Sequence, residues 1–186
     1  PFPLEGGSVI FNRDGHVFLG TSKGVYRSVN NGDFWERASN GLPDTLVPLL
    51  AKNKGDTLFA WTWNKSFFQS ADNGNSWEMH QNIGLPNTRM RAIAVNSLGH
   101  IFLGGLLSEG GGVYRSRNNG DSWEPLGLNN YGIQSFGLND SGQIFVGSHD
   151  GVWRSIRSTV TSVEQIAIPE LPVNYILKQN YPNPFN

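Results

Sequence analysis

A thirteen-residue string occurs twice in this chain. Residues 24–36 read Gly-Val-Tyr-Arg-Ser-Val-Asn-Asn-Gly-Asp-Phe-Trp-Glu, and residues 112–124 repeat them with two differences. A third copy starts at Phe67-Phe68-Gln69-Ser70 and ends at Ser76-Trp77-Glu78, and a fourth opens at Gly151-Val152-Trp153-Arg154-Ser155 and then fades. The tryptophans of the complete copies lie 42 and 46 residues apart. A period in the forties leaves two broad architectures, stacked helix pairs or radially arranged sheets.

The residues between the copies decide for sheets. Short apolar runs precede each copy: Val17–Gly20, Leu58–Ala60, Ile101–Gly104 and Ile144–Gly147. They are too short for helices and rich in strand formers. Ahead of each run sits a polar turn opened by Asn12, Asn53, Asn96 or Asn139, and ahead of each turn another apolar stretch. With 23 glycines and 20 asparagines, the chain is well supplied with residues for tight turns. One unit is thus four strands, A to D, with an Asn-Gly turn between A and B and the repeated string spanning C and D. The fold class expected is all-β, a β-propeller of four-stranded antiparallel blades. Residues 9–156 cover three full blades and part of a fourth. An open arc exposes blade faces and edge strands, so further blades are expected before Pro1, with an N-terminal segment supplying the missing fourth-blade strand.

The C–D turn reads Ser-x-Asn/Asp-x-Gly-x-x-Trp three times: Ser28, Asn30, Gly32 and Trp35; Ser70, Asp72, Gly74 and Trp77; Ser116, Asn118, Gly120 and Trp123. The hydroxyls and side-chain carbonyls can accept backbone N–H groups inside the turn, the glycines supply positive φ, and the indoles bury a large apolar area. The motif resembles the Asp-box, or bacterial neuraminidase repeat, of sialidases, xyloglucan-active propeller hydrolases, sortilin-type receptors and a photosystem assembly factor. Asn replaces the favoured Asp in two copies but keeps an acceptor. The resemblance implies a structural staple and no catalytic role for the box.

After Ser155 the pattern stops. The domain organisation expected is a partial propeller over 1–157, a linker over 158–174 and the start of another domain over 175–186. Residues 177–186, Leu-Lys-Gln-Asn-Tyr-Pro-Asn-Pro-Phe-Asn, resemble the opening of the Ig-like C-terminal sorting domain of the type IX secretion system of Bacteroidota. That resemblance implies engagement of the secretion machinery through the tail and a secreted or cell-surface location.

Composition narrows the function classes. Fourteen Lys and Arg stand against fifteen Asp and Glu, for a net charge of −1, which argues against a nucleic-acid partner. There is no cysteine, so thiol nucleophiles and Cys-ligated metals are excluded. No apolar run reaches the ~20 residues of a membrane helix. The four histidines show no metal-ligand spacing, no glycine-rich phosphate loop is present, and no cofactor is expected. His16 and His100 share one repeat column and read as structural.

A residue that repeats serves the repeat, so specific tasks are sought among those that occur once. The A–B and C–D turns fall on one rim, and the more irregular B–C and D–A loops on the other. The candidate ligand-binding residues on that second rim are Trp61, Trp63, Lys65, Asp44, Glu109, Tyr131, His149 and Asp150. Trp61 and Trp63 either stack on sugar rings or a protein partner, or both extend strand B and pack between blades. No convergent carboxylate pair is evident, and Arg27, Arg115 and Arg154 form a repeat column, unlike a sialidase triad. The leading expectation is a non-catalytic glycan- or protein-binding scaffold, with a polysaccharide or cell-surface protein as partner. The alternative is the C-terminal part of a polysaccharide-active glycoside hydrolase, xyloglucanase-like or sialidase-like. The photosystem-type assembly role fits poorly with the sorting-like tail.

Overall fold

The computed structural model describes residues 6–155, 159 and 177–179. They form a four-bladed β-propeller, each blade an antiparallel four-stranded sheet. Blade 1 holds β1 (Gly6–Phe11), β2 (Val17–Thr21), β3 (Gly24–Ser28) and β4 (Glu36–Arg37). Blade 2 holds β5 (Leu49–Lys52), β6 (Leu58–Trp61), β7 (Phe67–Ser70) and β8 (Glu78–His80). Blade 3 holds β9 (Met90–Val95), β10 (Ile101–Gly105), β11 (Gly111–Ser116) and β12 (Glu124–Asn129). Blade 4 holds β13 (Ile133–Leu138), β14 (Ile144–Ser148), β15 (Gly151–Ser155) and β16 (Leu177–Gln179). The strands of each sheet are hydrogen-bonded in chain order. The inner strands pack in series, β1 on β5, β5 on β9 and β9 on β13.

The fourth blade corrects one expectation. Its outer strand is not left for N-terminal residues: Leu177–Gln179 pairs with β15, Leu177 opposite Ser155 and Gln179 opposite Trp153. The linker proposed over 158–174, apart from Thr159, and the rest of the tail lie outside the described residues.

The period of two in the B strands explains how the blades hold each other. In β6, Leu58 and Ala60 enter the core shared with blade 1, alongside Phe18, Val25 and Trp77. Phe59 and Trp61 point the other way, into the core shared with blade 3, with Phe67, Ile101, Leu103 and Trp123. In β10, Phe102 turns from that cluster to a third, with Val113, Ile133 and Val146. A strand buried on both faces reads as a continuous apolar run, as these do. On blade 1 the side turned from blade 2 keeps Val9 and Phe11 exposed, while Ile10 packs into the first core.

The three Ser-x-Asn/Asp-x-Gly-x-x-Trp turns share one hydrogen-bond scheme. The amides of Gly32, Gly74 and Gly120 donate to Ser28, Ser70 and Ser116 Oγ at 2.8–2.9 Å. Each hydroxyl donates in turn to Oδ1 of Asn30, Asp72 or Asn118. That same Oδ1 accepts the backbone N–H of Phe34, Ser76 or Ser122. Asn31, Asn73 and Asn119 join the following glycines at positive φ, the region that Asn and Gly tolerate best.

The turns also latch blade to blade. The backbone N–H groups of Trp77 and Trp123 donate to Asn40 and Ile83 carbonyls of the preceding blade. Trp77 Nε1 reaches Ala38 O, whereas Trp35 and Trp123 bond their own Gly32 and Gly120 carbonyls. On the A–B side, Asn12 Nδ2 donates to Asn73 Oδ1 of blade 2. Asn96 Nδ2 donates to Thr159 O, so the degenerate fourth repeat keeps an inter-blade bond with a different residue.

Asp72 is the one acid at its column. Partial desolvation works against its ionisation, but hydrogen bonds from Ser76 and Ser70 outweigh this and hold the carboxyl below its ordinary 3.8. Its contribution is therefore full above that value and is lost as the pH falls through the lower folded one. Asp72→Asn should cost at most about 1 kcal/mol at neutral pH, because Asn30 and Asn118 show that an amide makes the same turn. Thermal melts at neutral and acid pH check this: the variant's deficit should shrink below pH 3.8, and a deficit unchanged with pH would refute it.

Candidate functional site

The B–C and D–A loops do share a rim. Trp63 N donates to Leu46 O, Leu106 N to Arg89 O and Gly112 N to Tyr131 O. The two D–A loops of blades 1 and 2 run in parallel: Gly41-Leu42-Pro43-Asp44-Thr45-Leu46 matches Gly84-Leu85-Pro86-Asn87-Thr88-Arg89. Thr45 and Thr88 each donate N–H to the proline carbonyl two residues back. Gly41 and Gly84 fit where a Cβ would strike the carbonyl oxygens of Trp77 and Trp123 at 2.2 and 2.1 Å. The loops are thus rigidly placed and differ at two positions, Asp44 against Asn87 and, at the end, Leu46 against Arg89.

The second difference builds a cluster between blades 2 and 3. The Arg89 guanidinium lies over the Trp63 ring, 4.3 Å from its centroid. Lys65 Nζ lies 3.0 Å from Glu109 Oε2, and the backbone N–H of Arg89 donates to the same oxygen at 2.8 Å. Arg89 Nε is 3.6 Å from Glu109 Oε1, too far for a hydrogen bond. Lys65 also donates to Asn87 O, and Asn82 Nδ2 to Lys65 O. The hydrogen bonds from Lys65 and Arg89 N–H hold the Glu109 carboxyl below its ordinary value.

The structure brings together three of the expected rim residues, Trp63, Lys65 and Glu109, and separates the others. Trp61 is corrected: it is 1% exposed, in the core between blades 2 and 3, and unavailable to a ligand. Trp63 is 48% exposed. The two tryptophans, expected to behave alike, part because β6 ends at Trp61. Thr62 then opens a turn, taking Lys65 N–H on its carbonyl and donating to Ser66 O, and the alternation that buries Trp61 no longer applies. Asp44 pairs with Arg37 at the end of β4. Tyr131 packs edge-on against Trp153, 4.9 Å between centroids. His149 Nε2 lies 2.7 Å from Gln134 Nε2, and Asp150 N–H donates to Ser148 Oγ. The backbone N–H groups of His16 and His100 donate to Oδ1 of Asn12 and Asn96, in keeping with their shared repeat column. Arg27 and Arg115 each pair with a glutamate across their own C–D hairpin, Glu36 and Glu124.

Sequence reasoning missed Arg89. Its signal was a broken column, a cation where the preceding loop carries Leu46. A cavity of about 540 Å3 opens on the opposite rim, lined among others by Lys52, Asn53, Asn96 and Asn139 of the A–B turns. It is ringed by repeat residues and lies away from Trp63.

No protein-family model matches the sequence, and no curated protein matches it. Solved structures do match in fold. An ancestral GH74 enzyme aligns with a TM-score of 0.66 and 21% identity over 81% of this chain and 22% of its own. The extracellular domain assigned to a hybrid two component system of B. thetaiotaomicron gives 0.68 and 16%, over 94% and 24%. YCF48 from Cyanidioschyzon merolae gives 0.61 and 16%, over 83% and 54%. These likenesses establish the propeller fold. The chain spans from about a fifth to just over half of these neighbours.

Proposed function

We propose that the chain is a non-catalytic recognition module of an exported propeller protein, binding a glycan through the rim that carries Trp63. The observation behind it is a half-exposed indole, backed by a guanidinium and flanked by Lys65 and the exposed amides of Asn64 and Asn87. A flat apolar ring beside polar donors and acceptors is the chemistry that holds a pyranose. The Ser-x-Asn/Asp-x-Gly-x-x-Trp turns are read as Asp-boxes acting as staples. The tail is read as the sorting signal that carries the protein to the cell surface, and surface labelling of producing cells tests that export.

The hydrolase reading draws on the GH74 neighbours but finds little in these residues. A general acid needs a raised carboxyl pKa, whereas Glu109 is held low by Lys65 and Arg89, and Asp44 is paired with Arg37. The test is a glycan array with the intact protein and its Trp63→Ala variant. A hit lost in the variant with unchanged melting is expected. The absence of any hit, or hits indifferent to Trp63, would refute the reading.

A further inference from the structure

Glu109 places its carboxylate between Lys65 and Arg89. One of its oxygens receives Lys65 Nζ and the backbone N–H of Arg89, and the other lies 3.6 Å from the Arg89 guanidinium. That distance leaves the buried Arg89 Nε without an acceptor. Two cations therefore face one carboxylate, and one donor of the socket is unmet. Unmet buried donors are costly, so an anion with better reach gains from displacing this one.

The backbone carrying Glu109 is pinned. Leu107–Glu109 form a short 3-10 turn. Leu106 N donates to Arg89 O, and Gly111 N donates back to Leu106 O. Only the glutamate side chain, about one-fifth exposed, has to turn away for the socket to open. With it gone, Lys65 and Arg89 leave two positive charges without their carboxylate, the Arg89 guanidinium over the Trp63 ring.

We propose that this socket is a carboxylate-binding subsite, occupied in the free protein by the chain's own Glu109, and that the glycan bound is an acidic one containing hexuronate. The proposal rests on the reading of the Trp63 rim as a glycan surface and narrows it. A hexuronate carries both features the site asks for: an apolar C–H face for the indole and a carboxylate for the charge-assisted donors. A neutral sugar uses the ring and leaves both cations idle.

The test is calorimetric titration of the intact protein with an oligogalacturonate trimer and with a neutral trisaccharide, each at low and high salt. The acidic trimer should bind about tenfold tighter, as one further charge-assisted hydrogen bond provides, and that preference should fall as salt rises. Glu109→Gln should bind the acidic trimer several-fold tighter than the unmodified protein, with Glu109→Asp between them and the neutral sugar unmoved. Trp63→Ala should lose both ligands. Equal binding of the two sugars, dependent on Trp63, overturns the acidic assignment and leaves the glycan reading standing. No binding of any sugar removes that reading and this proposal together. Weaker acidic binding in Glu109→Gln, with unchanged melting, shows that Glu109 is no tethered competitor and overturns the proposal, as does capture of an acidic peptide in preference to both sugars.

Discussion

Replacing Gly120 by alanine is expected to destabilise the protein by about 2–5 kcal/mol, the largest effect of any glycine in the repeated turns. Two penalties add. Gly120 has φ of +101°, where an L-residue costs about 1–2 kcal/mol. Its Cβ would also stand 2.2 Å from Phe67 Cε1 and 2.6 Å from Cδ1. Phe67 has no room to withdraw: it is fully buried, stacks on Phe59 at 5.8 Å and meets Trp123 edge-on at 5.2 Å. Gly32 supplies the control, since its φ is +93° but its nearest neighbours are Trp35 atoms at 3.9 and 4.0 Å. Gly32→Ala should therefore lose only the conformational part. For a protein of this size each kcal/mol moves the melting temperature by about 2–4 °C, so calorimetric scans separate the two variants. Equal losses would mean that Gly120 serves the turn alone and not the blade junction.

The contrast between those two glycines marks where sequence stops being informative. The turn itself is local chemistry: a hydroxyl, a side-chain carbonyl, a positive-φ pair and an indole within eight residues. Ser116, Asn118, Gly120 and Trp123 bond as their order along the chain suggests. What Gly120 touches in the preceding blade depends on radial placement, which no local pattern contains. The same limit separates Trp61 from Trp63. Their spacing of two predicts a common face while the strand continues, and the answer changed because β6 stops at Trp61.

The fourth blade shows a different limit. Its outer strand comes from Leu177–Gln179, beyond a stretch without the repeat pattern. Pairing at a sheet edge uses backbone groups, so a strand recruited this way leaves little mark on side-chain type. The candidate site lies between these extremes. Trp63, Lys65 and Glu109 stood out as residues that break the repeat, and the structure places them together with Arg89. Arg89 broke the repeat as plainly, but only against a loop alignment whose meaning rests on Leu46 and Arg89 accepting equivalent hydrogen bonds from Trp63 and Leu106. In repeat folds the positions that depart from the column carry specific chemistry, and they become visible once the register between copies is fixed in space.

Glu124→Gln is expected to show the steepest dependence on pH. The Arg115 side chain is only 1% exposed, and its guanidinium pairs with Glu124, whose Oε1 accepts Arg115 Nε at 2.6 Å and Arg117 Nε at 3.0 Å. Removing a partner from a buried charge costs about 3–5 kcal/mol when both groups are enclosed. The Glu124 side chain is nearly half exposed, and solvent screening reduces the expected loss to about 1–3 kcal/mol at neutral pH. Desolvation pushes the Glu124 carboxyl up, but the Arg115 hydrogen bond and charge, with those of Arg117, outweigh it and hold the group below its ordinary 4.5. A depressed folded pKa means that the stabilisation is complete above the unfolded value and disappears as the pH falls through the folded one. Melting temperatures of the two proteins should thus differ most at neutral pH and converge in acid. Glu36→Gln is the internal comparison, because Arg27 is 16% exposed against 1% for Arg115, and its loss should be distinctly smaller. Gln69 fills the same column in blade 2, so the blade architecture does not require a cation there. The cost in blade 3 then belongs to the buried charge itself, and a pH-independent difference between Glu124→Gln and the unmodified protein would show that packing, not charge, sets it.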